Sequence, residues 1–411
     1  MVQTKRARRC RTLAFLVLPF IALACQPDDK ALPLAPDAAL NKETNPKPKN
    51  PATIREGREI FRFDTFGDET FWTDTAELHK VINTLTPQAA LQVAGLKVDV
   101  EKLPQAIIDQ IKGGTINLGD PANTIALVGL DAVLGVKGTV QGGQVVRVGV
   151  TCALCHSTVD NSLTAGIGHR LDGWPNRDLN VGLIISLTKV QDAPYNTWGP
   201  GMYDPRFNFH PNEPSVPVVL PPAFGLRKVA KETYTGDGPV SYWNAYVAIT
   251  QMHGHGHFVD PRIGVDVNNT PPDLVSSKLD ALRAYQLSLE APEARKGTFE
   301  RDAAERGEKV FRKAGCSDCH RGSTYTDINS GRLWEPAKVG QSAAYAVRSA
   351  TKKYRTTPLR GLWNPPQLDG PYFHDGSAPT LEAVVEHYVT LFHLTLTTQQ
   401  KHDLVEFLKT L

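Results

Sequence analysis

Methionine is nearly missing from this chain: only Met1, Met202 and Met252 occur among 411 residues, so no thioether donor exists beyond residue 252. Cysteine is sparse as well. Four of the six lie in two repeated pentapeptides and the others are Cys10 and Cys25, which leaves no disulfide framework to draw. Glutamate is absent between Glu232 and Glu290. No apolar run reaches the roughly 20 residues that a membrane-crossing helix needs; the best, Thr12 to Leu23, is interrupted by Pro19. Charge of one sign is not in excess either. The formal net charge is +2, and −3 once the five cations Lys5, Arg6, Arg8, Arg9 and Arg11 are set aside. There is no basic patch, which excludes nucleic acid as a partner.

What is present is the pattern C-x-x-C-H, twice: Cys152-Ala153-Leu154-Cys155-His156 and Cys316-Ser317-Asp318-Cys319-His320. This is the attachment pattern of c-type haem. Two thiols spaced by one turn of backbone add across the two vinyl groups of the porphyrin, and the adjacent histidine becomes the proximal iron ligand. Zinc would need a second ligand pair close in sequence to each motif, and none is there. A redox dithiol does not call for a following histidine, still less twice. Two covalently attached haem c groups are therefore expected, on Cys152 and Cys155 with His156, and on Cys316 and Cys319 with His320. Bound calcium is left open.

The amino terminus fits an exported protein. The five cations make a basic n-region without an acid, Thr12 to Leu23 is a short apolar h-region, and Ala22-Leu23-Ala24 offers a small-residue cleavage site. Cys25 follows directly, where a lipoprotein carries its lipidated thiol, although Ala22 stands where such boxes usually have Leu. Simple cleavage leaving one free thiol is the alternative. The expected location is the periplasm or cell envelope, with membrane contact only through a lipid on Cys25. Residues 26 to 52 are rich in Pro, Asp, Asn and Lys without aromatics, and read as a flexible tether.

Around the second motif, Ala303, Ala304, Gly307, Val310 and Phe311 lie at helical spacing just before Cys316. Thr397 or Thr398 can cap a last helix with the apolar face Leu404, Val405, Leu408 and Leu411. A first and a last helix crossing over a haem is the cytochrome c arrangement, with Gly307 permitting a close crossing. Gly57, Ile60 and Phe61 repeat the signature, yet Cys152 arrives about 90 residues later. The intervening stretch reads as an insertion, with a helical region near Asp74 to Leu85 and a mixed Gly- and Val-rich segment from Gly129 to Val150. A helix around Leu274 to Leu289 is expected to close the first domain. The expected fold class is mostly α, with two cytochrome c-like haem domains. Residues 1–24 are the signal, 25–52 the tether, 53–295 the amino-terminal haem domain with an insertion at about 68–148, and 296–411 the carboxy-terminal cytochrome c domain.

From Ala303 to Leu411 the chain resembles the bacterial di-haem cytochrome c peroxidase superfamily, whose relatives include the di-haem enzyme that matures tryptophan tryptophylquinone and, more loosely, the di-haem rubber oxygenases. Tyr354-Arg355-Thr356-Thr357-Pro358-Leu359-Arg360 looks like the family's P-T-L-R segment, and Pro371-Tyr372-Phe373-His374-Asp375-Gly376-Ser377 with Thr380-Leu381-Glu382 like its P-Y-F-H-D-G…T-L-E segment. The amino-terminal half matches loosely. The resemblance implies an oxidoreductase whose first haem reacts with peroxide or another oxygen species while the second feeds or stores electrons, with a small electron-donor protein as partner. The alternative is a non-enzymatic electron carrier with both irons six-coordinate.

The resemblance also assigns candidate residues. Typical peroxidases have Met as sixth ligand of the second haem; here the equivalent position is Tyr388, the type seen in the quinone-maturing branch, with His387 and His374 as other donors. A Tyr or His donor implies a lower potential than His with Met. Tyr388 as a plain core aromatic under a five-coordinate iron is the bland alternative. His169 lies near where peroxidases place a distal histidine, and is otherwise a surface residue of a glycine-rich turn. Trp243 falls where the family has an aromatic between the haems, and is otherwise ordinary core. Gln251 resembles the pocket Gln. The peroxidase Glu has no counterpart, and Asp260 or Asp266 is left to replace it. His253-Gly254-His255-Gly256-His257 could bind a metal, contribute to a haem pocket, or be a plain loop.

Overall fold

A computed structural model of the chain describes residues 50–190, 194–209, 213–269, 271–362 and 370–411. The expected export signal, Cys25 and most of the expected tether lie outside these residues. The first described residues, expected as the end of the tether, begin a helix. Asn50 accepts a hydrogen bond from the Ala52 amide at 2.9 Å, and with Pro51 in the first turn this starts a helix at Pro51.

That helix, Pro51–Phe63, buries Gly57, Ile60 and Phe61. It crosses the helix Leu279–Ser288 so closely that a Cβ on Gly57 would lie 1.8 Å from the Ala281 carbonyl oxygen. One turn on, the Phe61 and Tyr285 rings meet edge to face at 5.5 Å and 62°. The same construction recurs near the carboxy terminus. Helix Arg301–Lys313 crosses helix Thr398–Leu408, a Cβ on Gly307 would lie 1.9 Å from the Asp403 carbonyl oxygen, and Phe311 meets Phe407 at 5.2 Å and 60°. In both pairs the aromatic contact follows the close approach by four residues on each helix, so two copies of one packing unit are built into the chain. Thr397 begins the last helix with a full capping box closed by Gln400.

Two apolar cores follow from the two crossings. One runs from Ile60 to Tyr285 and has Cys152 and Cys155 packed against it. The other runs from Val310 to Leu411 and has Cys316 against it. The stretch before Cys152 does not form a separate core. Leu78, Ala90, Val128 and Val148 pack in one cluster with Phe61, Trp243 and Tyr285. The helical region expected near Asp74 to Leu85 is a π-turn, Thr70–Thr75, followed by the short helix Leu78–Ile82. The mixed segment contains an antiparallel hairpin, Val136–Gln141 with Gln144–Val150. Four other short two-stranded pairings complete the β content of the described residues. Helices dominate, and no described helix is long and apolar enough to cross a membrane.

The segments around Asp204, Asp237 and Arg348 meet through buried ion pairs. Arg348 bonds Asp204 at 3.0 Å with both side chains almost fully buried. Arg206, 1% exposed, is paired with Asp237 and sits over the Tyr345 ring at 4.5 Å.

Candidate haem sites

The first motif forms a single helical turn, Ala153–His156, held because the Thr151 amide donates to the Gly135 carbonyl at 2.9 Å. Burial pulls the His156 pKa down to about 4, against the opposing pull of the Pro221 backbone. The ring is therefore neutral at ordinary pH, the form a metal ligand needs. Burial pushes the Cys152 and Cys155 thiols up to about 12. Thiols so reluctant to ionise are poor exchange catalysts, which counts against a redox dithiol.

The second motif opens on a cavity of about 360 Å³ lined by Cys316, Cys319, His320, Tyr388 and mostly apolar side chains. A single water needs only about 10–15 Å³, and close-packed interiors hold few larger voids, so this space is built for something large. His320 faces it. Its Nδ1 lies 3.0 Å from the Tyr325 carbonyl, which as acceptor leaves Nε2 as the nitrogen free for a metal. Burial lowers the His320 pKa, opposed by the carbonyls of Tyr325 and Thr357 and by Asp327. Burial pushes the Cys316 thiol up to about 11. Two unpaired thiols, a neutral histidine and a large apolar cavity fit a porphyrin held through Cys316 and Cys319.

The three candidate sixth ligands separate clearly. Tyr388, on helix Leu381–Leu391, lines the cavity, and its hydroxyl has no hydrogen-bond partner among the described residues. Burial, with the two thiols adding, raises its pKa to about 12. His374 also lines the cavity, but both ring nitrogens are engaged, with the Tyr354 hydroxyl at 2.9 Å and Gln341 Oε1 at 3.1 Å. His387 is not among the lining residues, and its Nε2 faces the Val339 carbonyl at 3.1 Å.

Near the first motif the sequence expectations fare unevenly. His169 is not turned inward. Its Nδ1 meets Glu101 Oε1 at 3.2 Å with both side chains more than half exposed, so the distal role gives way to that of a turn residue. Gln251 is buried and accepts a hydrogen bond from the Tyr203 hydroxyl. Tyr203 was not anticipated; it lies within electrostatic reach of Cys155. Trp243 is buried at the edges of Tyr242 and Tyr246, with its Nε1 lacking a partner.

The carboxylates proposed to replace the peroxidase Glu are both committed elsewhere. Asp260 accepts from the Tyr242 hydroxyl at 2.7 Å and from Arg262. Burial works to raise its pKa, but those hydrogen bonds outweigh burial and hold it low. Asp266 pairs with His257 at 2.7 Å. The other two histidines of that run also go separate ways. His253 stacks on Phe71 at 3.5 Å, and the His255 backbone donates to the Phe66 carbonyl while its ring Nδ1 is buried without a hydrogen-bond partner. Among the described residues no three His, Cys, Asp or Glu side chains gather to hold a metal ion.

No family model matches the chain. The methylamine utilization protein MauG of Methylorubrum extorquens is 31% identical over 157 residues, covering 32% of this chain and 42% of that protein. Its namesake from Methylophilus methylotrophus is 30% identical over 127 residues, 27% of this chain and 37% of the relative. Hydrazine synthase subunit gamma of Kuenenia stuttgartiensis is 30% identical over 176 residues, 33% of this chain and 49% of the relative. The matches thus span less than half the length of these relatives. Among solved structures, a Kuenenia stuttgartiensis hydrazine synthase pressurised with xenon covers 49% of this chain and 74% of its own at 20% identity and a TM-score of 0.34. A MauG-like protein associated with microbial copper homeostasis covers 48% and 74% at 19% identity and a TM-score of 0.32. The sequence relatives, each matched over about a third of this chain, support the resemblance to the bacterial di-haem cytochrome c peroxidase superfamily that the motifs carry, through its MauG proteins.

Proposed function

We propose that this protein is an exported di-haem c-type cytochrome and an oxidoreductase, with one haem on each C-x-x-C-H motif. The observation that carries the reading is the cavity at Cys316–His320, where two unpaired thiols, a histidine locked through Nδ1 and an uncommitted Tyr388 hydroxyl line one large apolar space. A bound haem supplies an iron that exchanges single electrons and, where its sixth position is open, takes up a small oxidant such as peroxide. His156 and His320 would hold the irons through their ring nitrogens. Tyr388 would be the second protein donor to the haem on Cys316 and Cys319, whose chemistry would then be electron storage. At the first haem, the half-buried Tyr203 and the buried Gln251 that it hydrogen-bonds are the candidates to bind a small oxygen-containing substrate, and the buried Trp243 is the candidate aromatic between the haems. A small electron-donor protein supplies the electrons. The domain boundaries at about 53–295 and 296–411 belong to this reading, one haem to each apolar core.

Mass spectrometry of the exported protein should show two added haems per chain, and a mass matching free thiols at either motif removes the reading. Ferric spectra should contain one high-spin haem that responds to cyanide or peroxide. Two low-spin haems inert to both, before and after one-electron reduction, would make the protein an electron carrier instead.

A further inference from the structure

We propose that Arg177, with Arg355 beside it, anchors the propionate carboxylates of the haem on Cys316 and Cys319, reaching that haem from the amino-terminal half of the chain. This rests on the haem attachment proposed above for that motif.

The charge of the cavity is the starting point. Among the described residues its lining holds three arginines, Arg177, Arg355 and Arg360, but one carboxylate, Glu232. Glu232 is already shared with Arg355 at 3.3 Å. Among the described residues no acid acts on Arg177. Its Nε and Nη1 are buried without a hydrogen-bond partner, as are Nε of Arg355 and Oγ1 of Thr233. An unpaired buried guanidinium costs several kcal/mol, a cost the fold bears only where an anion completes the site. Arginine's fork of N–H groups suits a carboxylate in bidentate fashion. Haem brings two carboxylates at one edge of an otherwise apolar disc, which is the polarity of this cavity. Arg177, Arg355 and Tyr234 all line the cavity, and both guanidiniums oppose the upward push of burial on the Tyr234 hydroxyl.

The segment bearing Arg177 is tied to the other motif. The amide of its neighbour Asn176 donates to the Cys155 carbonyl at 2.9 Å, and the Asn176 side chain donates to the Gly95 carbonyl at 2.9 Å. The anchor for one haem is thus held in place by the backbone that carries the other.

The test uses the full-length holoprotein with Arg177→Gln and Arg177→Lys, haem content by pyridine haemochrome, and a spectroelectrochemical titration of both haems. A cation beside a propionate favours the reduced iron, so its loss must lower that haem's potential. Arg177→Gln should keep two haems and lower one midpoint by about tenfold in the reduction equilibrium, about 59 mV for one electron. Arg177→Lys should restore most of the shift, and the other haem should not move. Unchanged midpoints in Arg177→Gln overturn the proposal. So does an equal shift in Gln and Lys variants, which marks a packing role, or a shift confined to Arg360→Gln, whose guanidinium stacks over Tyr325 at 5.0 Å. A wild-type protein without haem on Cys316 and Cys319 overturns the functional reading itself, and is told apart by the haemochrome count.

Discussion

A tyrosine hydroxyl with no protein partner in an apolar cavity is costly, because burial raises its pKa without a hydrogen bond in return. Tyr388 is in that position, while the two histidines that could compete are engaged or outside the lining. Tyr388→Phe should change the ferric spectrum of one haem and leave the other untouched. A spectrum identical to wild type would remove Tyr388 as a ligand. The resemblance to the di-haem family pointed to this position, while the lack of methionine beyond residue 252 only removed that family's usual donor and left His387 and His374 open. Tyr203 shows the opposite case. Nothing in Gly201-Met202-Tyr203 marks it out, and its hydrogen bond to Gln251 exists only once distant segments meet.

Among the secondary-structure elements, the two crossing pairs carry the most weight. Gly57 and Gly307 each bring a helix axis within reach of a partner's carbonyl, and an added methyl there cannot be absorbed by moving a flexible side chain. Gly57→Ala and Gly307→Ala should each destabilise the protein by about 1–3 kcal/mol, the range for overpacking. Thermal melting of holoprotein checks this; a melting temperature within error of wild type would mean the crossing is looser than the geometry shows. These helices were legible because apolar periodicity, capping residues and a small residue at the crossing all lie within one segment. The hairpin Val136–Gln141 with Gln144–Val150 was legible too, through Gly142-Gly143 between two Val-rich runs, but the run was read only as mixed. The short helices before Cys152 were harder. Their apolar residues face a core shared with Phe61 and Tyr285, far away in sequence, so local periodicity is weak.

Over the whole molecule, neutral buried histidines set an acid limit. His156 and His253 are each pulled down to about 4 from 6.5, chiefly by burial, and His320 and His374 are lowered in the same direction. Between these values the unfolded chain takes up protons that the folded protein refuses. Stability from these groups is therefore complete above about pH 6.5 and is lost as pH falls toward 4. The proposed iron ligation by His156 and His320 would act with the same sign, since a proton competes with a metal for the ring nitrogen. Melting temperatures of holoprotein should fall steadily from pH 7 to pH 4; a flat profile across that window would contradict the burial of these rings as neutral species.

The proposed haem attachment is legible in local sequence. Two C-x-x-C-H turns and the helices that flank them need only a few consecutive residues, because thiol spacing, capping and helical periodicity act over one or two turns. What surrounds each motif was decided by tertiary contact. His169 turned to Glu101, Asp260 was consumed by Tyr242 and Arg262, and Arg177 came to face a cavity whose motif lies far along the chain. The reason is physical: burial and electrostatic partners are properties of the folded environment, and residues distant in sequence supply most of it.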